Sequence, residues 1–223
     1  MSRFPSASVE DRWHDFVRVF ARLFATLVWK VRCFGREHQP PRGGVLVVSN
    51  HQSHLDPVLI GLAVDRRMNY LARQTLFDFW LLRWVIVLMG AIPIDREGGG
   101  LAGMKETLRR LKREQMILVF PEGTRTPDGE VAELKPGFCT LARRAKVHVL
   151  PVALDGAFEA WPRSKSIPRP GTIHIVLGKA LTPLEVAAID DDETLLTEVD
   201  RRIRACHRQA RASVERARGR CDR

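Results

Sequence analysis

Short apolar segments alternate with amphipathic helical segments along most of this 223-residue chain, and that alternation constrains its fold more than any other feature. Apolar runs bounded by turn residues are typical of buried strands. They predict strands over Val45–Val48, Met68–Ala72, Ala91–Ile94, Met116–Phe120, Val147–Leu154 and Thr172–Leu177. Because strands that alternate with helices form layered α/β folds, we expect an α/β fold here.

Apolar residues at three- and four-residue spacing predict the helices. These are expected over residues 9–34, from about Asp56, and over Leu76–Leu88, Leu101–Glu114, Gly137–Ala145 and Thr194–Arg216. The predicted organisation is an N-terminal amphipathic helix at 1–34, a central domain at 35–190, and a basic C-terminal helix or tail at 191–223.

The N-terminal helix has a wide aromatic and aliphatic face, and Arg18, Arg22 and Arg32 lie on the opposite side. This distribution suits a helix in a membrane interface. It also suits a helix that packs on the core with its arginines in water. The apolar face is formed by Trp13, Phe16, Val17, Phe20, Phe24, Leu27, Val28 and Val31.

The net charge of +10 is concentrated at the C-terminal end. Residues 200–223 hold nine arginines and three acidic residues, a surplus of six, so residues 1–199 carry only +4. Strongly basic chains bind nucleic acids or anionic membranes. A nucleic-acid-binding protein is therefore an alternative from a different functional class, but no aromatic stacking surface accompanies the arginines. We expect an anionic membrane surface, not a nucleic acid, as the partner.

No apolar run approaches the ~20 residues that a membrane-spanning helix needs. The longest, Trp84–Ile94, is interrupted by Gly90 and Pro93. The first residues lack the pattern of a secretory signal. The four cysteines follow no disulfide or metal-site spacing, so reduced thiols in the cytosol are expected.

The first candidate for chemistry is the block Asn50-His51-Gln52-Ser53-His54-Leu55-Asp56-Pro57, directly after a predicted strand. Polar groups at the carboxyl ends of strands commonly form the active sites of α/β folds. A turn from strand to helix could bring Asp56 against His51, fix its tautomer and leave the other ring nitrogen free to accept a proton. Alternatively, Asp56 only caps the following helix, and spacing does not exclude His54 as the reactive histidine.

The second candidate is Phe120-Pro121-Glu122-Gly123-Thr124-Arg125, at the end of another predicted strand. Gly123 permits close approach of the backbone to a ligand, and Thr124 and Arg125 supply donors suited to a phosphate. Glu122 could bind a ligand hydroxyl or pair with Arg125. A polar turn with such an internal pair is the plain alternative.

Two further segments, Gly90–Arg96 and Leu134-Lys135-Pro136-Gly137, could add polar groups to the same pocket, or they could be solvated turns. The sequence contains no Gly-x-Ser-x-Gly elbow, no phosphate-binding loop of the glycine-lysine type and no paired-cysteine metal site. The other histidines are scattered and are interpreted as structural or solvated.

In combination, these blocks resemble the glycerolipid acyltransferase family. The family has a His-x4-Asp block, a short block ending in arginine, a Pro-Glu-Gly block and an apolar strand containing proline, in that order. This chain has His51/Asp56, Gly90–Arg96, Phe120–Arg125 and Val149-Leu150-Pro151-Val152. The similarity covers roughly residues 35–180 and implies a mixed sheet flanked by helices.

The resemblance also implies a role for each residue. His51 would be the general base that deprotonates the acceptor hydroxyl, and Asp56 would orient it. The donor would be an acyl thioester of coenzyme A or acyl carrier protein, with no metal and no other cofactor. The acceptor's glycerol phosphate would be held by Arg96, Glu122, Gly123, Thr124 and Arg125.

The implied reaction converts 1-acylglycerol 3-phosphate to phosphatidic acid on the cytoplasmic face of a membrane, with the enzyme bound peripherally. Other acceptors remain open, namely another lyso-lipid, glycerol 3-phosphate or lyso-ornithine lipid. Arg73 stands where many relatives have lysine, and it keeps the positive charge.

Overall fold

The structure, a computed structural model, describes residues 9–73, 91–94 and 101–219. Within these ranges seven strands form one sheet. The strands are β1 (Arg32–Phe34), β2 (Val45–Ser49), β3 (Met68–Arg73), β4 (Ala91–Ile94), β5 (Met116–Val119), β6 (His148–Asp155) and β7 (His174–Leu177). All six predicted strands are present, and β1 is an addition.

Helices connect and cover these strands. They are α1 (Val9–Trp29), a 3-10 turn (Arg36–His38), α2 (Asp56–Ala63), α3 (Leu101–Lys112), α4 (Gly137–Ala145), α5 (Ala157–Ala160), α6 (Pro183–Ala188) and α7 (Asp192–Arg218). The predicted helix Leu76–Leu88 lies outside the described residues.

The strand order is β1-β7-β6-β2-β5-β3-β4. Strands β6, β2, β5, β3 and β4 run parallel, whereas β7 is antiparallel to β6 and β1 is parallel to β7. The sheet is therefore mixed and flanked by helices, as predicted.

Strand β2 occupies the centre and is buried on both faces, which explains its uninterrupted apolar sequence. Alternate residues of a strand point to opposite faces. Val45 and Val47 join a core that includes α2, whereas Leu46 and Val48 join a core that includes α4 and α7. The carboxyl end of β2 therefore emerges between two packed layers.

The N-terminal helix ends earlier than predicted. It stops at Trp29, Lys30 adopts a left-handed backbone with φ of 41°, and Arg32–Phe34 forms a strand that pairs with β7. The prediction of one helix through residue 34 is wrong at this end, because pairing with a distant strand overrides the local helical periodicity.

The arginine side of α1 faces the protein. Arg18 Nη1 donates to Asp65 O at 2.7 Å, and Arg22 Nε donates to Leu62 O at 2.8 Å. Arg22 also pairs with the Asp65 carboxylate at 3.2 Å. These acceptors lie at the carboxyl end of α2, where free carbonyl groups favour cations. The interpretation with arginines in water is therefore wrong for Arg18 and Arg22, whereas Arg32 lies on β1 and is exposed.

The docking of these arginines leaves the apolar side of α1 facing outward. Its exposed large hydrophobic residues are Phe16, Val19, Phe20, Leu23, Phe24 and Leu27. Within the described residues, no helix combines the length and apolar character required to cross a membrane.

The long C-terminal helix α7 packs against β6 and β7. Its buried face is formed by Leu195, Val199, Ile203, Cys206, Ala210 and Val214. Five of its arginines pair with acidic groups of the same chain: Arg201, Arg202, Arg204, Arg211 and Arg218. Much of the C-terminal positive charge is thus engaged in ion pairs within the protein. The predicted boundary at residue 191 between the central domain and the C-terminal helix stays a prediction.

Candidate active site

The loop between β2 and α2 starts from a buried anchor. The Asn50 side chain donates to Leu154 O and accepts from Leu154 N, each at 3.0 Å. Asn50 therefore acts as a short bridge from the end of β2 to β6. This bridge fixes where the next residue, His51, leaves the sheet.

His51 and Asp56 are in direct contact. His51 Nδ1 lies 2.7 Å from Asp56 Oδ2, and the same oxygen accepts the backbone N–H groups of Gln52 at 2.6 Å and Ser53 at 2.7 Å. With Nδ1 donating to the carboxylate, Nε2 is the ring nitrogen that can accept a proton.

The helix-cap interpretation of Asp56 is wrong. Leu55 occupies the cap position, and Asp56 is the first helical residue. Its fully buried carboxylate binds the loop that precedes the helix instead of the amides that follow. The five-residue spacing therefore forms a closed turn that holds the imidazole.

The second block binds the first through the backbone of His51. Glu122 Oε1 accepts from His51 N at 2.9 Å, and Thr126 N donates to His51 O at 2.8 Å. Glu122 Oε2 accepts from Ala132 N at 3.3 Å. Burial raises the pKa of Glu122, and the two backbone N–H groups oppose that rise. Both carboxylate oxygens of Glu122 therefore accept hydrogen bonds from backbone N–H groups, an arrangement that the sequence did not predict.

Phe120 lies flat against the imidazole. The ring centroids of His51 and Phe120 are 4.0 Å apart with an interplanar angle of 15°. The stack limits rotation of His51 and covers one of its faces. Sequence reasoning missed this contact, because it depends on β2 and β5 being parallel neighbours whose carboxyl ends meet at one edge.

The turn after Phe120 carries the predicted anion-binding residues. Gly123 N donates to Phe120 O at 3.1 Å with φ of 73°, a conformation that favours glycine. A Cβ at Gly123 would lie 3.1 Å from Lys135 Nζ, so this ammonium group borders the turn. Thr124 is exposed and Arg125 is half-buried.

Arg163 reaches the same turn, with Nη1 3.5 Å from Thr124 Oγ1. Lys135 and Arg163 are cations that sequence reasoning did not assign to the site. Lys135 belongs to the segment Leu134–Gly137, which was predicted either to add polar groups to the pocket or to be a solvated turn. Arg96, predicted to bind substrate, lies outside the described residues.

His54 differs from His51 in its environment. Its ring lies 5.2 Å from the ring of Trp161. Partial burial, reinforced by the positive charge of Arg125 and by the nearby His51, lowers the pKa of His54 to about 4. His54 is therefore neutral near pH 7, and the hydrogen bond to Asp56 belongs to His51.

A buried polar cluster supports the loop from behind. Gln52 Nε2 donates to Gly129 O at 2.7 Å, and Gln52 Oε1 accepts from Phe158 N at 3.2 Å. Next to Gln52, His207 Nε2 lies 3.2 Å from Asp155 Oδ1. No sequence pattern predicted this pair, since its members come from β6 and α7.

The site thus combines an oriented imidazole with cations around the turn that follows Phe120. An imidazole in contact with a carboxylate can take a proton from a hydroxyl group. Arginine, lysine, threonine and a glycine turn can bind a phosphate.

Comparisons with known proteins identify the relatives of this chain. Residues 30–155 match the Acyltransferase family. A 1-acyl-sn-glycerol-3-phosphate acyltransferase of Chlamydomonas reinhardtii is 34% identical over 182 residues, covering 76% of this chain and 54% of that protein. The enzyme of the same name from Pseudomonas aeruginosa is 32% identical over 177 residues, covering 78% of this chain and 66% of that protein. The chain thus spans about half to two thirds of the length of these relatives.

A solved structure shares the fold. The crystal structure of the 1-acyl-sn-glycerophosphate acyltransferase from Thermotoga maritima superposes with a TM-score of 0.76 at 24% identity, covering 88% of this chain and 79% of that one. The family match includes the His51–Asp56 block and the Phe120–Arg125 block. The chain belongs to the glycerolipid acyltransferase family.

Proposed function

We propose that this protein transfers a fatty acyl group from a thioester to the free hydroxyl of 1-acylglycerol 3-phosphate and forms phosphatidic acid. The observation that carries the proposal is the 2.7 Å contact between His51 Nδ1 and Asp56 Oδ2, at a strand end beside the phosphate-type residues of the Phe120–Arg125 block. The names of the relatives support the choice of acceptor.

In the proposed mechanism, His51 Nε2 removes the proton of the acceptor hydroxyl while the oxygen attacks the thioester carbonyl. Asp56 stabilises the imidazolium that forms. Collapse of the tetrahedral intermediate breaks the carbon–sulfur bond, and coenzyme A or acyl carrier protein leaves as a thiolate that takes up the proton. General-base catalysis of this kind contributes about 10²–10⁴-fold, and alignment of the two substrates contributes further.

The acceptor phosphate is assigned to Arg125, Thr124 and the Gly123 turn, with Arg96 as a further contact. Glu122 was assigned to the acceptor as well, but its two hydrogen bonds to backbone support a role in holding His51. No metal or additional cofactor is invoked in any step.

The exposed apolar face of α1 supports peripheral binding to a membrane. A helix that points aromatic and aliphatic side chains outward gains free energy by burying them among lipid headgroups and acyl chains. Since acyl thioesters of coenzyme A and acyl carrier protein are water-soluble, we propose that the protein works at the cytoplasmic face.

A transfer assay with purified protein tests the acceptor. Mass spectrometry would follow product formation from acyl-coenzyme A and from acyl-acyl carrier protein. The acceptor panel would contain 1-acylglycerol 3-phosphate, glycerol 3-phosphate, lysophosphatidylcholine and lyso-ornithine lipid. We expect phosphatidic acid as the dominant product. Faster transfer to an acceptor without a phosphate monoester would contradict the assignment of Arg125 and Thr124.

A further inference from the structure

The loop of residues 161–171, between α5 and β7, has an unusual composition. It contains three cationic residues, Arg163, Lys165 and Arg169, and no acidic residue. All three are exposed, and Ile167 between them is 77% exposed. An exposed large hydrophobic residue flanked by cations is typical of segments that bind membrane interfaces.

Hydrogen bonds give this loop a defined shape. Arg169 N donates to Ala160 O at 2.8 Å and closes its base. Within it, Trp161 Nε1 donates to Lys165 O at 2.8 Å. The exposed residues are therefore carried on a closed loop instead of a free segment.

The 161–171 loop is attached to the end of α1. Trp29 Nε1 donates to Arg169 O at 2.8 Å, and Gly171 N donates to Val28 O at 3.3 Å. The exposed ring of Phe24 packs edge-on against Trp29, with ring centroids 5.8 Å apart. The buried Trp29 thus links the exposed apolar face of α1 to the loop.

The other side of the loop borders the candidate active site. Ser53 Oγ donates to Trp161 O at 2.9 Å. The His54 and Trp161 rings are in contact, and Arg163 reaches Thr124. The loop therefore joins the outward face of α1 to the residues around His51.

From this placement we propose that the 161–171 loop is a second membrane-binding element, which inserts Ile167 and holds anionic phospholipid headgroups beside the active site. The proposal rests on the proposed function, since it assumes a lipid acceptor drawn from a bilayer. The cations of the 161–171 loop attract anionic headgroups. The position of the loop gives a lipid acceptor a short path from the bilayer surface to His51. An anionic bilayer is the one occupant that matches both the charge and the apolar tip.

Vesicle co-sedimentation tests the loop. The probes are phosphatidylcholine vesicles with and without phosphatidylglycerol. A basic residue near an anionic surface contributes roughly fivefold to binding, so the double variant Lys165→Gln/Arg169→Gln is expected to bind the anionic vesicles at least about tenfold more weakly. Ile167→Asp is expected to weaken binding to both kinds of vesicle.

Matched variants control for charge and hydrophobicity. Lys105→Gln/Lys112→Gln removes two exposed cations from α3, which packs on the other face of the sheet. Leu184→Asp changes an exposed leucine on α6. The residue just before α6, Leu181, pairs with Val149 at the start of β6, so α6 lies away from the carboxyl end of β6. Both controls should bind vesicles like the wild-type protein. Equal binding of loop variants and controls would overturn the proposal.

A parallel assay separates this proposal from the proposed function. A short-chain, water-soluble 1-acylglycerol 3-phosphate needs no membrane, so the loop variants should use it at the wild-type rate and lose rate only on acceptor in anionic vesicles. Loss of rate on the soluble acceptor would overturn the loop proposal and assign these residues to the site. Failure of the wild-type protein to use the soluble acceptor would instead contradict the proposed function, whatever the vesicle binding.

Discussion

Two histidine–carboxylate pairs lie on opposite sides of the same loop. In the first, His51 Nδ1 is 2.7 Å from Asp56 Oδ2, and the His51 side chain is 19% exposed. In the second, His207 Nε2 is 3.2 Å from Asp155 Oδ1, and the two side chains are 6% and 7% exposed. Gln52 separates the pairs, with its Nε2 3.5 Å from Asp155 Oδ1.

The difference between the pairs is access and surrounding charge. Burial raises the pKa of Asp155, but the hydrogen bond from His207 and the electrostatic effect of His207 and Arg211 outweigh it, so the pKa lies below its usual value. This carboxylate is therefore charged and lies between His207 and Arg211. The His51–Asp56 pair is instead open to solvent and lies beside the phosphate-type residues of the Phe120–Arg125 block. The two pairs are called the open pair (His51–Asp56) and the closed pair (His207–Asp155). In the proposed mechanism the same two functional groups serve catalysis where a substrate can reach them, whereas the enclosed pair stabilises the fold.

Among the substitutions that retain His51, Asp56→Asn should lower turnover the most. The amide keeps an acceptor for the loop but cannot stabilise an imidazolium by charge, so we expect turnover to fall by at least about 10²-fold. Steady-state kinetics on 1-acylglycerol 3-phosphate measures this. Turnover within a few-fold of wild type would contradict the claim that the open pair, unlike the closed pair, takes part in catalysis.

His207→Ala should have the opposite profile. Removing one partner of a buried pair costs about 3 kcal/mol of unfolding free energy, because Asp155 loses its imidazole and a cavity forms. Turnover per folded molecule should stay within a few-fold of wild type. Urea unfolding followed by circular dichroism, with kinetics on the same preparation, tests both statements. A large loss of turnover without loss of stability would mean that the closed pair takes part in catalysis.

Glu122→Gln tests whether Glu122 positions His51 or binds the acceptor. The amide would place a donor against the N–H of either His51 or Ala132, at a cost of about 1–3 kcal/mol. If Glu122 positions His51, kcat falls while KM for the acceptor changes little. A raised KM at constant kcat would return Glu122 to the acceptor site. Glu133→Gln, an exposed neighbour, is the matched control.

His54→Gln should have the smallest effect, and it concerns acid stability. The pKa of His54 falls from 6.5 to about 4 on folding. Between these values the unfolded chain binds a proton that the folded protein does not, so this residue lowers stability as the pH drops from 6.5 toward 4. Urea midpoints of the variant should therefore vary less with pH than those of the wild type. Parallel curves would contradict the assigned environment.

The sequence predicted what local patterns determine. The run Val45–Val48 marked the central strand, and the blocks after β2 and β5 marked the site, because parallel strands deliver their carboxyl ends to one edge. It did not predict β1, since Arg32–Phe34 forms a strand only through pairing with β7. The partners of Arg18 and Arg22 were equally hidden, because they lie more than 35 residues away.

Long-range polar contacts account for the rest of the site. Glu122 bonds to His51 across 71 residues, and Gln52 approaches His207 across 155 residues. No spacing rule predicts such contacts, because they depend on how the sheet brings separate strands and α7 together. Phe120 was identified as part of a motif, but its stacking on His51 required the relative placement of β2 and β5.

The turnover of His51→Ala, compared with His54→Ala, tests the central claim most directly. Removal of the base should lower the rate of acyl transfer by about 10²–10⁴-fold with little change in the thermal midpoint, since two backbone N–H groups still hold the Asp56 carboxylate. His54→Ala should stay within a few-fold of wild type. Near-normal turnover of folded His51→Ala would contradict the assignment of His51 as the general base.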